Sequence, residues 1–269
     1  MINIIKSFIK KSLYPLGLNV ESNSKSEEVR NFILRFNENY ISTDLIRVGG
    51  NGDGGYLVPD ILDNIDYCFS AGVGEISTFE KELSKTYQIK SYMADASVNS
   101  PPYEDKNFFF IKKFLSSKTK FEFITLKDWL SENIVDNSNN KILQMDIEGS
   151  EYDVLTFESA QTLKQFSLMI IEFHKLENLS NPIFLKMANA IFEKIYDNFY
   201  ICHVHPNNFS GIYNFKNIKI PSSIEVTFIR KDLINEHKSN NKIFLPHALD
   251  KKNHENSIDF KMPEIWWKK

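Results

Sequence analysis

Short apolar runs alternate with amphipathic segments over most of the chain. Apolar runs of about four to eight residues, bounded by polar residues, are typical of strands buried on both faces of a parallel sheet. Apolar residues that recur at every third or fourth position indicate helices that cover such a sheet. The pattern predicts seven strands, at Asp66–Ser70, Gln88–Met93, Phe108–Lys112, Ile142–Met145, Leu168–Phe173, Phe199–Val204 and Ile224–Arg230.

Helical periodicity fills most of the intervals between these strands and also precedes the first of them. The predicted helices are Glu27–Phe36, Ile76–Tyr87, Thr125–Glu132 and Ile183–Tyr196. Strands that alternate with helices form a parallel, doubly wound sheet with right-handed crossovers. Because no helix separates the last two strands, we expect the last strand to be antiparallel. The predicted fold class is therefore α/β, with a mostly parallel, seven-stranded, Rossmann-like sheet.

The pattern also divides the chain into three parts. It predicts a helical N-terminal extension, a main domain and a C-terminal tail, over residues 1–45, 46–235 and 236–269. The tail is expected to pack back on the domain through the indoles of Trp266 and Trp267. Lysines separate the apolar residues of Met1–Leu18. Such a helix either packs on its own domain or touches a membrane surface, and we expect the first.

The composition limits the classes of function. The formal net charge of −3 argues against nonspecific binding of nucleic acid through bulk charge. No apolar run reaches the roughly 18 residues that a membrane-spanning helix needs. Cys68 and Cys202 lie in apolar, strand-like runs, which is typical of buried, reduced thiols. We therefore expect a cytoplasmic protein without membrane contact, either monomeric or homo-oligomeric.

Carboxylates are concentrated where the predicted strand at Ile142 ends. Asp146, Glu148 and Glu151 follow that strand, around a Gly149-Ser150 turn. Ligands of open α/β sheets bind outside the carboxyl ends of the strands, so these acids are interpreted as the floor of an active site. The next strand ends with Glu172 and His174, which lie two positions apart, so a continuing strand points both to the same face.

A glycine turn follows the first predicted strand of the sheet. Gly72 and Gly74 lie between that strand and a helix, which is a nucleotide-binding arrangement. Asp95 comes 21 residues after Gly74, a spacing suited to hydrogen bonds with ribose hydroxyls. Ser77 stands where a dinucleotide fingerprint has its third glycine, which disfavours a pyrophosphate-bearing cofactor.

A second group of glycines lies upstream. Five of the chain's ten glycines fall within Arg47–Tyr56. Glycines this dense allow positive φ angles or a close approach of the backbone to a ligand. The segment is interpreted either as a hairpin loop or as a lid beside a cofactor, and the spacing alone does not separate these alternatives.

The order of these elements resembles that of class I S-adenosylmethionine-dependent methyltransferases. The closer resemblance is to the FkbM-type methyltransferases, whose signature pair is similar to Asp146–Tyr152 (DIEGSEY) and Ile170–His174 (IIEFH). Thr125–Leu130 (TLKDWL) is similar to the T-L-x-D segment of that family. The glycine turn, SAGVG at Ser70–Gly74, departs from the common G-A-N-x-G form. The resemblance extends over about residues 44–231.

The resemblance implies transfer of a methyl group from S-adenosylmethionine to a hydroxyl, often on a sugar or a polyketide. It also implies that the adenine lies near residues 113–116. The cofactor-binding residues that it implies are Ala71, Gly72, Gly74, Asp95, Ala96 and Asp146.

A sugar hydroxyl is a weak nucleophile, so its methylation needs a base or a metal. Asp146 and Glu172 end neighbouring strands of the expected order, so their carboxylates should converge as catalytic groups. Hard oxygen ligands suit Mg²⁺ or Mn²⁺, with His174 as a third ligand or as the general base. This arrangement resembles that of metal-dependent O-methyltransferases. The alternatives are a metal-independent enzyme with His174 as base, a nicotinamide-dependent enzyme on the same sheet, and a noncatalytic binding module.

The acceptor side is predicted from polar residues near the same edge of the sheet. His203 and His205 alternate along a strand, and the loop that follows begins with Pro206, Asn207 and Asn208. The expected acceptor is a small molecule, a nucleotide-linked or surface-polysaccharide sugar, and not a nucleic acid. For Glu148, capping of the following helix is the alternative role. The predicted substrate contacts are Glu148, His205, Asn207 and Asn208.

Overall fold

The computed structural model describes residues 22–134, 140–234 and 242–268, together with Ser12 and Pro15. Apart from those two single residues, the predicted basic helix at Met1–Leu18 lies outside the described residues. Most of the predicted N-terminal extension before residue 22 therefore stays a sequence-based expectation.

The described ranges form a seven-stranded sheet with three small strand pairs. The strands are β1 (Leu45–Gly49), β2 (Gly55–Pro59), β3 (Tyr67–Ala71), β4 (Lys90–Ala94), β5 (Phe108–Ile111), β6 (Phe114–Leu115), β7 (Phe123–Ile124), β8 (Lys141–Met145), β9 (Phe166–Phe173), β10 (Phe199–Pro206), β11 (Ile212–Phe215), β12 (Ile218–Pro221) and β13 (Ile224–Arg230). The large sheet has the order β10-β13-β9-β8-β3-β4-β5. β13 runs antiparallel to both of its neighbours, and the other pairings of the sheet are parallel. The predicted α/β fold with an antiparallel last strand is confirmed.

Helices cover both faces of the sheet. They are α1 (Ser26–Glu38), α2 (Thr78–Tyr87), α3 (Leu126–Asn133), α4 (Glu151–Phe157), α5 (Ala160–Leu163) and α6 (Pro182–Tyr196). Local chemistry explains where two of them begin. The Thr125 hydroxyl accepts from the Asp128 N–H at 3.1 Å, and the Asn181 side chain accepts from the first N–H groups of α6. Pro182 then supplies the first helical residue, where its missing N–H costs nothing.

One loop of the sequence-based prediction is a hairpin in the structure. The segment between β10 and β13 contains β11 and β12, which pair in antiparallel fashion. Lys216 and Asn217 form its two-residue turn, and both have positive φ angles, of 48° and 67°. Two positive φ angles match the twist of a tight hairpin, but lysine gives no sequence signal for such a turn.

The larger apolar core lies between the sheet and the helices α1, α3, α4 and α6. It is rich in phenylalanine: the Phe192 ring lies 5.2 Å from that of Phe32 and 4.7 Å from that of Phe173. Trp266 closes this core, with its ring centroid 5.2 Å from that of Phe36. The indole N–H donates to the Lys219 carbonyl at 3.2 Å, so the buried ring leaves no unpaired donor.

The opposite face of the sheet carries polar side chains in two rows. In the first row, Ser70 of β3 is paired with Gln144 of β8, and Thr227 of β13 is paired with His203 of β10. The second row, one step nearer the carboxyl ends of the parallel strands, joins Glu172 to Glu225 and Glu225 to His205. Directly paired residues point to the same face, so the register brings these acids together.

The β1–β2 hairpin and α2 cover this polar face. The Thr227 hydroxyl donates to the Leu57 carbonyl at 2.8 Å, and the Gln144 amide donates to the Tyr56 hydroxyl at 3.2 Å. The hairpin is attached to α2 in turn, because Gly49 N–H donates to the Glu82 carboxylate at 2.8 Å. The hairpin therefore supplies hydrogen-bond partners for Thr227 and Gln144 of the first row.

A buried carboxyl in α2 leads to a stability prediction. Ser70 has one hydroxyl proton but contacts both Glu80 and Gln144 oxygens. A protonated Glu80 resolves this conflict by donating to Ser70, and burial raises the pKa of Glu80. A raised folded-state pKa contributes stability below the ordinary value near 4.3, and that stability is lost as the pH rises through the folded-state pKa.

Glu80→Gln keeps a donor at this position at every pH. At pH 8 we expect the variant to have a free energy of unfolding about 1–3 kcal/mol larger than that of the wild type. At pH 4.5, where the wild-type carboxyl is protonated, we expect almost no difference in that free energy. Urea denaturation at both pH values measures this difference. A gain that is equal at the two pH values would contradict a protonated Glu80.

Candidate active site

A cavity of about 600 Å³ opens at the carboxyl ends of β3, β4 and β8. Its floor includes Gly72 and Gly74 from the turn after β3, Asp95 after β4, and Asp146 after β8. The strands end at one edge of the sheet because they are parallel, which places their following loops around a common space. This is the edge that the sequence analysis predicted for the ligand.

The glycine turn lets β3 and β8 approach each other closely. Gly72 has a φ of 82°, and a Cβ at this position would lie 1.6 Å from the Asp146 carbonyl oxygen. The Gly72 N–H donates to the Ala94 carbonyl at 3.1 Å, and the Asp146 N–H donates to the Ala71 carbonyl at 3.0 Å. Only glycine fits here, and bare backbone is left facing the cavity.

Asp95 links the glycine turn to the loop after β4. Its Oδ2 accepts from the Gly74 N–H at 2.8 Å, and its Oδ1 accepts from the Ser97 N–H at 2.7 Å. The side chain is thus held at the cavity wall by backbone donors. Ala71 and Ala96, which were also predicted to bind the cofactor, do not line the cavity within the described part of the chain.

The remaining walls come from two small strand pairs. Phe114, Leu115 and Ser116 line one side, together with Phe123 on the partner strand. This apolar wall lies where the sequence analysis placed the adenine, at residues 113–116. Asp53 and the neighbouring Gly54 line another side from the turn of the β1–β2 hairpin. The glycine-rich segment is therefore both a hairpin loop and a border of the cavity.

A cluster of carboxylates surrounds His174 beside the cavity. The imidazole Nε2 lies 3.7 Å from Asp146 Oδ1, 3.4 Å from Glu172 Oε1 and 3.6 Å from Glu148 Oε2. Its Nδ1 lies 2.9 Å from Glu151 Oε1. The predicted convergence of Asp146, Glu172 and His174 is present in the structure, and Asp146 alone of these three also lines the cavity within the described residues.

Burial and charge repulsion shift the pKa values of this cluster. Burial, followed by the charge of Glu172, raises the pKa of Asp146 to about 8. Burial also raises the pKa of Glu172. Burial lowers the pKa of His174, but its hydrogen bond with Glu151 and the charges of Glu172, Glu151 and Asp146 outweigh that effect and raise the pKa to about 9. Without a cation, the cluster holds protons near neutral pH.

The family of the chain follows from a comparison of its sequence. The family model "Methyltransferase FkbM domain" matches residues 19–197, which is more than half of the chain. The chain belongs to the FkbM methyltransferase family. The family predicted from the two signature segments is confirmed, and S-adenosylmethionine is the cofactor that this family implies. A nicotinamide-dependent enzyme and a noncatalytic module are no longer needed as alternatives.

Solved structures resemble this methyltransferase at low sequence identity. Fibrillarin from Methanococcus jannaschii, a pre-rRNA processing protein, is 12% identical, with a TM-score of 0.36 over 63% of this chain and 68% of that chain. A chain of a fibrillarin/Nop5p complex is 12% identical, with a TM-score of 0.39 over 62% and 73%. Precorrin-6y C5,15-methyltransferase from Geobacter metallireducens GS-15 is 9% identical, with a TM-score of 0.33 over 80% and 94%. No curated protein matches the sequence significantly.

Two buried acids of the methyltransferase site have roles that the sequence analysis did not predict: Glu151 was placed only among the acids at the floor of the site, and Glu225 was given no role. Glu151 is fully buried, and its Oε1 accepts from the Ile147 and Gly149 N–H groups, each at 3.2 Å, while it contacts His174. It therefore orients the imidazole instead of facing the ligand. Glu225 lies in β13 opposite Glu172, and its Oε1 is bonded to the Asn253 amide at 2.5 Å. Its position in an apolar run is a signal for a buried carboxylate, but its partner depends on strand register.

The predicted acceptor contacts separate into two groups in the methyltransferase. Glu148 lines the cavity with a largely exposed side chain and a φ of 55°, and the Asn207 amide donates to Glu172 Oε1 at 2.9 Å. His205 and Asn208 lie elsewhere: His205 faces Asp250, and the Asn208 amide donates to the His254 carbonyl at 2.8 Å. Glu148 does not cap α4, because within the described residues the Glu151 carboxylate is the one that accepts from the turn.

The helices of the methyltransferase give no membrane-spanning candidate. Within the described residues, no helix is both long and apolar enough to cross a bilayer.

Proposed function

We propose that this methyltransferase transfers a methyl group from S-adenosylmethionine to a sugar hydroxyl, with assistance from a divalent cation. The observation that carries the proposal is the position of Asp146. Its carboxylate borders the 600 Å³ cavity on one side and the buried carboxylate cluster around His174 on the other. A group that activates a hydroxyl must lie at such a boundary between cofactor and acceptor.

The cavity fits S-adenosylmethionine in its size and in the groups that line it. Gly72 and Gly74 offer bare backbone, and Asp95 stands at the position for ribose hydroxyls. Phe114 and Leu115 offer an apolar surface for the purine ring. S-adenosylmethionine, when bound, supplies an electrophilic methyl group. The residues of the chain orient that group toward Asp146 and exclude water on the apolar side.

The cluster also fits a divalent cation. Among the described residues, Asp146 Oδ1 is buried and has no hydrogen-bond partner. Asp146, Glu148 and His174 each offer one ligand atom, and these atoms lie within 4.8 Å of one another. Two carboxylate oxygens and one imidazole suit Mg²⁺ or Mn²⁺. A divalent cation, when bound, lowers the pKa of an acceptor hydroxyl.

The structure changes the expected ligand set in one respect. Glu172 Oε1 already accepts from the Ser223 hydroxyl at 2.5 Å and from the Asn207 amide at 2.9 Å. We therefore assign Asp146, Glu148 and His174 as the direct ligands. Glu172 is the neighbouring negative charge, 3.4 Å from His174, that favours a cation without binding it directly.

A metal-free mechanism with His174 as base is the second candidate. Its support is the contact between His174 Nδ1 and Glu151, which fixes the imidazole with Nε2 toward Asp146. Against it, the pKa of His174 is raised to about 9, so the imidazole carries a proton at neutral pH and is a poor base. In the presence of a divalent cation the cluster loses protons, so the cation-assisted mechanism agrees better with the geometry.

The proposed acceptor, a nucleotide-linked or surface-polysaccharide sugar, rests on the family and on the polar groups beside the cluster. The Asn207 side chain lies next to Glu172, and its amide oxygen accepts from the Phe209 N–H at 2.9 Å while keeping a second lone pair for a sugar hydroxyl. Glu148 is exposed at the cavity. Hydroxyl-rich ligands need such donors and acceptors at the rim.

The test is an acceptor screen with the full chain. Sugar nucleotides and polysaccharide fragments are incubated with S-adenosylmethionine and Mg²⁺ or Mn²⁺, and products are identified by a mass increase of one methyl group. The expected result is methylation of a sugar hydroxyl that requires the cation. Turnover of a small phenol or of nucleic acid alone would overturn the sugar assignment, and transfer to nitrogen or carbon would overturn O-methylation.

A further inference from the structure

A second cluster of metal-binding side chains lies apart from the active site. His203 and His205 lie two positions apart on β10, so both imidazoles point to the same face of the sheet. The C-terminal segment lies over this face and places Asp250 against the two histidines. Asp250 Oδ1 lies 2.9 Å from His203 Nε2 and 3.7 Å from His205 Nδ1. One ligand atom from each of the three residues lies within 4.8 Å of the others.

Both histidines are buried with fewer hydrogen bonds than buried imidazoles normally make: of their four ring nitrogens, only His203 Nε2 has a partner among the described residues, Asp250. His203 is 3% exposed and His205 is 8% exposed. Among the described residues, neither ring nitrogen of His205 has a hydrogen-bond partner, and Nδ1 of His203 also has none. A buried polar atom without a partner costs about 1–3 kcal/mol, so an arrangement of this kind calls for a ligand.

The donor set and the spacing suit zinc. Bonds of about 2.0–2.1 Å in a tetrahedral site place two ligand atoms roughly 3.3–3.4 Å apart. The distances of 2.9 Å and 3.7 Å from Asp250 Oδ1 to the two imidazole nitrogens lie on either side of that value. A cavity of about 220 Å³ beside His205 and Asp250 leaves room for a water as the fourth ligand. His247 also borders this cavity, with its ring centroid 6.1 Å from that of His203.

We propose that His203, His205 and Asp250 bind one Zn²⁺ ion, and that this ion fastens the C-terminal segment to the sheet. Asp250 is the contribution of that segment to the site. Two contacts just beyond it depend on the same placement: Asn253 with Glu225 at 2.5 Å, and Asn208 with the His254 carbonyl at 2.8 Å. By holding the C-terminal segment in place, the ion also holds Asn253 against the buried Glu225 carboxylate. This role does not depend on which acceptor the enzyme uses.

The experiment must separate this site from the cluster around His174. Full-length His174→Gln protein, in which the active-site cluster has lost its nitrogen ligand, is freed of metal by dialysis against a chelator. Zn²⁺ is then titrated by calorimetry, and Co²⁺ is used as a spectroscopic probe of tetrahedral coordination. We expect one Zn²⁺ per chain, and Co²⁺ absorption bands of the intensity typical of four-coordinate sites.

The ligand assignment is tested in the same His174→Gln background. Asp250→Asn and His205→Gln should each weaken Zn²⁺ binding by roughly 100-fold or more. Asp259→Asn is the matched control, because Asp259 borders the same cavity with an exposed side chain and is not a ligand; its affinity should be unchanged. Circular dichroism checks that each variant is folded.

Hydrogen exchange supplies a readout that metal binding elsewhere would not change. Zn²⁺ should slow exchange in residues 242–268 of the wild type and of Asp259→Asn, but not of Asp250→Asn. Absence of Zn²⁺ binding by the folded His174→Gln protein would overturn the proposal. Equal affinity of Asp250→Asn and Asp259→Asn would overturn it as well, and would leave the three residues as a hydrogen-bonded group only.

Discussion

Asp146→Asn is expected to lower the turnover number by about three orders of magnitude, while the affinity for S-adenosylmethionine falls by less than about tenfold. The substitution preserves the shape of the side chain but removes the charge that holds a cation and that accepts a proton. General acid–base groups contribute roughly 10²–10⁴-fold to rates, and loss of a metal ligand adds to that. Asp146 also borders the cofactor cavity, which explains the small expected loss of affinity.

The measurement is a steady-state methyl-transfer assay, paired with calorimetric titration of the cofactor. Glu172→Gln should behave similarly, because it removes the neighbouring charge 3.4 Å from His174. Glu132→Gln, an exposed carboxylate at the far end of α3, is the matched control and should keep wild-type activity. A chelator should abolish turnover of the wild type without preventing cofactor binding, and Mg²⁺ or Mn²⁺ should restore it. Full activity in chelator, combined with an inactive His174→Ala, would instead establish His174 as a metal-free base.

Gly72→Ala is expected to destabilise the protein by about 3 kcal/mol or more and to abolish cofactor binding. The added Cβ would lie 1.6 Å from the Asp146 carbonyl oxygen, which belongs to backbone and cannot move aside cheaply. The φ of 82° adds strain of about 1–3 kcal/mol for any residue with a Cβ. Relief of the clash would push β8 away from β3 and would displace Asp146 from both the cavity and the cluster.

Gly74→Ala is the comparison that isolates the clash. Gly74 also has a positive φ, of 52°, but a Cβ there meets no described atom within 4 Å. We therefore expect Gly74→Ala to cost only about 1–2 kcal/mol in urea denaturation, the strain of a left-handed residue. Its methyl group points into open space beside the cofactor site, so we expect a loss of cofactor affinity together with only this small loss of stability. Equal destabilisation by the two variants would contradict the close approach of β3 and β8.

Much of the site could be predicted because parallel strands end at a common edge. Asp146 and Glu172 follow two apolar runs, and the chain order makes those runs neighbours in a doubly wound sheet. His174 lies two positions after Glu172 and so reaches the same face. These three residues meet in the structure for reasons that local pattern and chain order contain. Their role as metal ligands and catalytic groups stays a prediction.

Other parts of the site could not be predicted, because they depend on the register of antiparallel strands and on the path of the C-terminal segment. Glu225 meets Glu172 through the β9–β13 register, which no local pattern specifies. His205 lies in the same row as Glu172 and Glu225, but its imidazole contacts Asp250, 45 residues later in the sequence, a partner that no local pattern indicates. A shift of one residue in the β9–β13 or the β10–β13 register would place Glu225 or His205 on the opposite face of the sheet.

The sequence by itself determined the α/β class, the places of the strands, the glycine turn and the acids at the strand ends, because each depends on periodicity and on residues a few positions apart. It also determined the family, through segments that are continuous in the chain. Only the tertiary structure decided which acids are buried together, which of them carry protons, and that Gly72 lies against Asp146. Those properties depend on desolvation and on distances between residues far apart in sequence, which arise only when the sheet, the hairpin and the C-terminal segment are packed together.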